Sequence, residues 1–132
     1  MPGGASILIV EDDINVREEI GDVLAEEGHT LSVARNGEEA LATLEFLPRP
    51  SLILLDIWMP VMDGLTFLRK LQEREDRSDF EVVVMSAVVG PDWFVDAPGV
   101  TKALKKPFVV SDIVSVSAEF AARRSWLRPA PL

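Results

Sequence analysis

Short apolar runs that stop abruptly at polar residues constrain the fold of this chain most. Four of them are Ile7–Val10, Leu52–Leu55, Val82–Met85 and the shorter Ala103–Leu104. They are aliphatic and too short for helices, which is typical of strands covered on both faces. A weaker strand is predicted at Thr30–Ala34. The intervals between the runs are long enough for the chain to cross back over a sheet, which favours parallel pairing.

Amphipathic segments fill these intervals. Asp13 is suited to cap a first helix, which ends near Gly28. Further helices are predicted through Ala40, Leu41 and Leu44, then with Leu65, Leu68 and Leu71 facing inward. A last helix, capped by Ser111, carries Ile113, Val114, Val116 and Phe120. Gly90–Gly99 contains Pro91 and Pro98 and fits at most a short helix. The alternation predicts an α/β fold, a doubly wound five-stranded parallel sheet with helices on both faces.

Length and charge limit the domain organisation and the partners. The 132 residues suit one domain, predicted at 6–124 between a flexible N-terminus (1–5) and a disordered tail or linker remnant (125–132). The formal net charge of −9 opposes direct binding of nucleic acid. Neither a membrane span nor a signal peptide is evident, so a cytoplasmic location is expected.

Residue usage excludes several kinds of catalytic site. There is no cysteine, which removes disulfides, thiolate nucleophiles and zinc–sulfur centres. His29 is the sole histidine, so a Ser-His-Asp triad or a histidine-rich metal site is not expected. Oxygen ligands and amines remain as the available chemistry.

Those groups occur directly after the predicted strands. Glu11 and Asp12 follow the first strand, Asp56 the third, Ser86 the fourth and Lys106 the fifth. Ligands of such sheets bind beyond the carboxyl ends of the strands, so we expect one shared site. Each residue also has a plainer explanation by itself, since acids at strand ends cap helices and lysines are common on surfaces.

Three converging carboxylates cannot all stay ionised without a compensating charge. Mg²⁺ suits such a site because it accepts carboxylate, water and phosphate oxygens. One carboxylate could take a phosphoryl group as an acyl phosphate, while the cation and a lysine balance its charge. Together with a hydroxyl that bonds a phosphate oxygen, this set predicts aspartyl phosphorylation.

Four stretches at the strand ends form a specific combined pattern. They are Ile7–Asp13, Leu54–Gly64, Val84–Ala87 and Lys106–Phe108, and the second contains the string Asp-x-x-Met-Pro-x-Met-Asp-Gly. Together they resemble the receiver domain of bacterial two-component response regulators, over roughly residues 6–124. The resemblance implies the flavodoxin-like receiver fold.

The resemblance also implies roles for individual residues. Asp56 would be the phosphoacceptor. Asp12, Asp56 and the main-chain carbonyl of Trp58 would bind Mg²⁺, and Glu11 would act mainly through a bound water.

Two further residues would contact the phosphoryl group. Ser86 would turn toward it, and Lys106 would pair with it. A cis peptide bond is implied between Lys106 and Pro107.

The implied function is a phosphorelay switch. A sensor histidine kinase or a histidine phosphotransfer protein would supply the phosphoryl group, and the output would be altered contact with a downstream protein target. Direct contact with nucleic acid or with a membrane is not expected. The resemblance leaves open whether the protein forms a homodimer. Catalysis would extend only to self-catalysed phosphotransfer and dephosphorylation.

Three positions depart from the family pattern. Ala103 stands where the family usually has Tyr or Phe, and the fourth-helix region around Gly90–Gly99 is atypical. Trp58 is bulky beside the phosphoryl pocket, and we expect it to limit water access and lengthen the lifetime of the acyl phosphate.

Other interpretations of the same residues remain. A phosphohydrolase that forms an aspartyl phosphate usually has Asp-x-Asp after its first strand, whereas here Trp58 takes the second-acid position. A pseudo-receiver that only binds proteins usually lacks part of the site. Only eight residues follow Arg124, too few for a DNA-binding module, so a stand-alone receiver or an excised fragment is expected.

Overall fold

Helices and strands alternate through the part of the chain that the structure, a computed structural model, describes. It describes residues 4–87 and 97–127, with side chains as far as Arg123. The elements are β1 (Ser6–Val10), α1 (Ile14–Glu26), β2 (Thr30–Ala34), α2 (Gly37–Leu44), β3 (Ser51–Asp56), α3 (Gly64–Gln72), a 3-10 turn (Arg77–Asp79), β4 (Phe80–Ser86), β5 (Val100–Lys105) and α4 (Val110–Leu127). Within these ranges no helix combines the length and the hydropathy needed to cross a bilayer.

The five strands form one parallel sheet in the order β2-β1-β3-β4-β5. Ile7–Val10, Leu52–Leu55 and Val82–Met85 are at most 1% exposed, as expected of strands covered on both faces. The edge strands β2 and β5 are more exposed. The predicted fold, a doubly wound five-stranded parallel sheet with helices on both faces, is confirmed.

Two hydrophobic cores lie on opposite faces of the sheet. One packs α2 and α3 against it and includes Leu44 and Phe67, while the other packs α1 and α4 and includes Leu24 and Phe120. Burying a side chain of this size contributes roughly 1.5–3 kcal/mol. The cores can therefore offset unfavourable charge contacts at the edge of the sheet.

Polar caps start three helices at the carboxyl edge. The Asp13 carboxylate accepts from the Asn15 N–H at 2.9 Å, as its position before α1 predicted. Asn36 and Asp63 cap α2 and α3 in the same way. Gly28 follows α1 with φ +91°, a conformation that favours glycine.

The β5 and α4 regions differ from the sequence prediction. β5 runs over Val100–Lys105, beyond the predicted Ala103–Leu104, because its pairing with β4 continues through a register irregularity that hydrophobicity does not reveal. α4 begins at Val110, so Ser111 lies inside its first turn rather than at its cap. Lys106–Pro107 is cis, as the resemblance implied.

The α3 helix buries a residue that the leucine pattern did not select. Leu65 is half-buried, whereas Phe67 is fully buried. Both occupy α3, and Phe67 belongs to the core that α2 and α3 cover. Leu68 and Leu71 are buried as predicted.

The ordered structure extends beyond the predicted domain limits. Ala5 donates its N–H to His29 Nδ1 at 3.0 Å, and its carbonyl accepts from Thr30 at 2.9 Å. α4 continues to Leu127, three residues past the predicted domain end at 124. Residues 1–3, 88–96 and 128–132 lie outside the described chain, and so does most of the predicted short helix in Gly90–Gly99.

Candidate functional site

Three carboxylates meet at the carboxyl edge of the sheet. Glu11 and Asp12 follow β1, and Asp56 is the last residue of β3. One oxygen from each lies within 4.8 Å of the others. Glu11 and Asp56 are buried, while Asp12 is exposed. We call these three residues the acid cluster.

Lys106 reaches the acid cluster from the end of β5. Its Nζ lies 2.5 Å from Glu11 Oε1 and 3.4 Å from Asp56 Oδ1. The main-chain N–H of Lys106 donates to the Ser86 carbonyl at 2.7 Å, and this hydrogen bond holds the backbone that carries the amine. Burial opposes the charged form, but the hydrogen bond to Glu11 and the nearby carboxylates leave the pKa of Lys106 raised overall. The amine is therefore cationic at neutral pH.

Asp56 is the carboxylate most affected by this crowding. Burial, reinforced by the negative charge of Glu11, raises the pKa of Asp56 to about 7, although Lys106 acts in the opposite direction. Without a further cation, Asp56 therefore keeps its proton to a higher pH than an ordinary aspartate does. A bound cation would favour the ionised form, which is the nucleophilic one.

The acid cluster has a donor set that fits Mg²⁺. All its ligand atoms are hard carboxylate oxygens, and two of the side chains are already desolvated. Mg²⁺ binds to few carboxylates and retains positions for water or phosphate oxygens. The exposure of Asp12 leaves one side of the cluster accessible for those ligands.

Ser86 and Trp58 flank the acid cluster in different ways. Ser86 ends β4 and is 7% exposed, and the residue before it, Met85, is the register partner of Asp56. Its hydroxyl-bearing side chain therefore belongs to the same edge as the acid cluster. Trp58 lies two residues after Asp56 and is 61% exposed, so most of its indole faces solvent.

The loop that follows Asp56 is held close to β3 by a glycine. Gly64 donates its N–H to the Ile57 carbonyl at 2.8 Å. A Cβ at Gly64 would lie 2.3 Å from the Asp56 carbonyl oxygen, so only glycine allows this approach. The two ends of this loop, at Ile57 and Gly64, are therefore held together next to the acid cluster.

A second contact ties the middle of this loop to α2. The Met62 carbonyl accepts the Gly37 N–H at 2.9 Å, and the neighbouring Val61 has φ 68°. A β-branched residue rarely adopts this conformation. The hydrogen bond from Met62 N–H to the Pro60 carbonyl at 2.8 Å makes Val61 the centre of a γ-turn.

Sequence reasoning missed one residue beside the acid cluster. Arg17, on α1, donates from Nη1 to the Glu11 carbonyl at 2.9 Å. The sequence showed it only as a polar residue between apolar positions of a helix. Arg17 lies one turn after the Asp13 cap, and its side chain is long enough to fold back to the strand end. That position is the sequence signal that could have identified it.

Ala103, the departure noted on β5, lies opposite Val84 in the register and is exposed. Its methyl group fills little space there compared with an aromatic ring.

Comparisons with known proteins agree with this architecture. A family model described as "Response regulator receiver domain" matches residues 7–117. Response regulator MprA of Mycobacterium ulcerans is 34% identical over 116 residues, which cover 83% of this chain and 47% of that protein. The chain thus spans about half the length of the curated relatives that it matches in this way.

Solved structures share the fold over nearly the whole chain. The signal receiver domain of a signal transduction histidine kinase from Syntrophus aciditrophicus has a TM-score of 0.81 and 28% identity and covers 98% of each chain. Response regulator TrrA of Thermotoga maritima, solved in complex with Mg²⁺-BeF, has a TM-score of 0.74 and 26% identity and covers 87% of this chain and 97% of that one. The family match, the fold and the strand-end residues together show that the chain belongs to the response regulator receiver domain family.

Proposed function

We propose that the protein is a phosphoacceptor signalling switch in a two-component system and takes a phosphoryl group on Asp56. The observation that carries the proposal is the convergence of a buried Asp56 with two further carboxylates and a lysine. Such a site combines a nucleophilic oxygen with positive charge placed to balance a phosphoryl group. The known architecture of the family and the Mg²⁺-BeF complex of a relative support this assignment.

In the proposed step, a carboxylate oxygen of Asp56 attacks the phosphorus of a phosphohistidine. The O–P bond forms, the P–N bond breaks, and the leaving imidazole takes up a proton. Asp12, Asp56 and the Trp58 carbonyl would hold Mg²⁺, with Glu11 acting through water. When bound, Mg²⁺ supplies positive charge to the phosphoryl oxygens.

The remaining residues complete the switch. Lys106, which now contacts Glu11 and Asp56, would pair with a phosphoryl oxygen, and the Ser86 hydroxyl would donate to another. The added charge would then shift a two-state equilibrium of the neighbouring loops. Output is proposed to occur through altered contact with a downstream protein.

An apolar surface around the site supports a protein as the phosphoryl donor. Of the seven large apolar side chains exposed in the described residues, five lie on loops or first helical turns at the carboxyl edge. We call these five the apolar rim: Ile14, Trp58, Val61, Val109 and Val110. A small-molecule donor needs no such surface, whereas a sensor histidine kinase or a phosphotransfer protein would bury it. We place this exchange in the cytoplasm, where ATP-dependent kinases act.

Phosphorylation by acetyl phosphate tests the function. We expect intact-mass spectrometry to show one phosphate-sized gain for the wild type with Mg²⁺, and none with EDTA or in Asp56→Ala. Asp22→Asn, which removes an exposed carboxylate of α1, is the matched control and should gain phosphate normally.

Each other outcome contradicts part of the proposal. A gain in both the wild type and Asp56→Ala would move the acceptor elsewhere. A gain in neither would favour a pseudo-receiver that only binds proteins. Sustained turnover of a phosphoester substrate would instead indicate a phosphohydrolase.

Trp58→Asn is expected to speed hydrolysis of the phosphorylated protein several-fold. The indole lies two residues after Asp56, and we infer that its covered part restricts the approach of water to the acyl phosphate. Loss of the phosphate-sized mass over time measures the rate after the donor is removed. Val109→Asn, at the same edge of the sheet and as exposed as Trp58, is the control and should leave the rate unchanged. An unchanged rate for Trp58→Asn would refute the shielding role.

A further inference from the structure

Arg17 lies beside the acid cluster and forms no ion pair with its three carboxylates. It is half-buried on α1, and its guanidinium donates to the Glu11 carbonyl at 2.9 Å. In the described ranges it forms no salt bridge, although acids precede it in the β1–α1 loop. The guanidinium thus donates its hydrogen bond to a main-chain carbonyl directly before Asp12.

Every polar group of Glu11 has a hydrogen-bond partner. Its N–H donates to the Ala34 carbonyl at 3.0 Å, and its Oε2 accepts the Asp13 N–H at 3.2 Å. Its Oε1 contacts Lys106, and its carbonyl accepts from Arg17. The Arg17 contact is the hydrogen bond to the carbonyl of the peptide that joins Glu11 to the next residue, Asp12.

Asp12 depends on that peptide for its placement. Its carboxylate is exposed, and no group in the described chain forms a hydrogen bond to it. Because no hydrogen bond holds the carboxylate, the backbone is what fixes the Cα–Cβ direction along which the side chain leaves the strand end. A small rotation of the Glu11–Asp12 peptide would turn the Asp12 oxygen away from Asp56.

We propose that Arg17 is a positioning residue for divalent-cation binding: by holding the Glu11 carbonyl, it orients the Asp12 carboxylate within the acid cluster. The inference rests on the proposed function, because it requires the cluster to bind Mg²⁺. It assigns to α1 a direct part in building the site.

The charge of Arg17 and its positioning role predict opposite changes in Mg²⁺ affinity when the guanidinium is removed. The direction of the change therefore tests the proposal. A nearby guanidinium repels a divalent cation, so removing it would tighten Mg²⁺ binding if its charge were all that mattered. Positioning predicts that the loss of the hydrogen bond weakens Mg²⁺ binding instead. Removing a group that orients a metal ligand typically costs about 10- to 100-fold in affinity.

Calorimetric titration of the full chain with Mg²⁺ alone distinguishes the two. Arg17→Met keeps the length of the side chain but has no donor, and we expect about a 10-fold higher Kd. Arg17→Lys keeps a donor and a charge and should recover part of the affinity. Arg69→Met, which removes an exposed arginine of α3, should bind as the wild type does. Unfolding in EDTA checks that each variant is folded.

The outcomes separate the proposal from the function on which it rests. No Mg²⁺ binding by the wild type would overturn the proposed function itself. A wild type that binds, together with equal or tighter binding by Arg17→Met, would overturn the positioning role alone. Equally weak binding by Arg17→Met and Arg17→Lys would also overturn it, because the lysine variant retains a donor.

Discussion

Asp56→Asn is expected to make the metal-free protein more stable at pH 8, by about 1–3 kcal/mol. Burial and the charge of Glu11 raise the pKa of Asp56 to about 7, so ionising this carboxyl in the folded state is costly. An amide of the same shape carries no charge and removes that cost. The residue proposed to carry the function thus destabilises the fold that presents it.

The pH dependence of this effect has a definite sign. In the unfolded chain Asp56 ionises near pH 4, whereas in the folded state it holds its proton to about pH 7. The folded state therefore binds more protons between these values, and the free energy of unfolding contributed by Asp56 falls as pH rises through the window. The difference between Asp56→Asn and wild type should be small at pH 4 and largest at pH 8.

Urea denaturation in EDTA at several pH values measures the difference. Added Mg²⁺ should stabilise the wild type, by about 2.7 kcal/mol at 100 times its Kd, and the variant by less. Asp22→Asn, on the exposed surface of α1, is the control and should show no such profile. If Asp56→Asn were less stable than the wild type at pH 8 in EDTA, ionisation of Asp56 would not be costly in the folded state, and the account would be contradicted.

Gly64→Ala is expected to destabilise the protein by about 3 kcal/mol or more. The new Cβ would lie 2.3 Å from the Asp56 carbonyl oxygen and 2.8 Å from the Ile57 Cα. Both are backbone atoms at the end of a buried strand, so no side-chain rotation can relieve the contact. The loop would have to move, and with it the hydrogen bond from Gly64 to Ile57.

Gly21→Ala provides the matched control for this substitution. Its Cβ would meet only the Leu31 and Ile9 side chains, at 3.9 and 4.0 Å, which is ordinary contact. Since alanine is favoured over glycine inside a helix, Gly21→Ala should stabilise by up to about 1 kcal/mol. Denaturation midpoints of the two variants should therefore move in opposite directions. Comparable stability of Gly64→Ala and wild type would show that the close approach is not required.

The sequence predicts the sheet and the convergence of the acid cluster for one physical reason. Apolar runs such as Leu52–Leu55 need burial on both faces, and their alternation with amphipathic segments favours parallel strands inside an α/β sheet. Once the strands are parallel, their carboxyl ends share an edge, and Asp12, Asp56 and Lys106 are expected at that edge. Asp13 marked the start of α1 because a helix needs an acceptor for its first N–H groups.

The remaining features depend on contacts that no local pattern encodes. The extent of β5 is set by backbone pairing with β4, not by its own hydrophobicity. The contact of Arg17 with the Glu11 carbonyl arises only when α1 folds back over the strand end. The approach of Met62 to Gly37 likewise requires β3 and α2 to be in place.

Chemical location of the phosphoryl group tests the central claim most directly. The protein would be phosphorylated with acetyl phosphate and Mg²⁺, reduced with borohydride to convert an aspartyl phosphate to homoserine, and mapped by peptide mass spectrometry. We predict homoserine at position 56 and at no other acid, including Asp12 and Asp63. Homoserine at another position, or its absence from a protein that has gained phosphate, would contradict Asp56 as the acceptor.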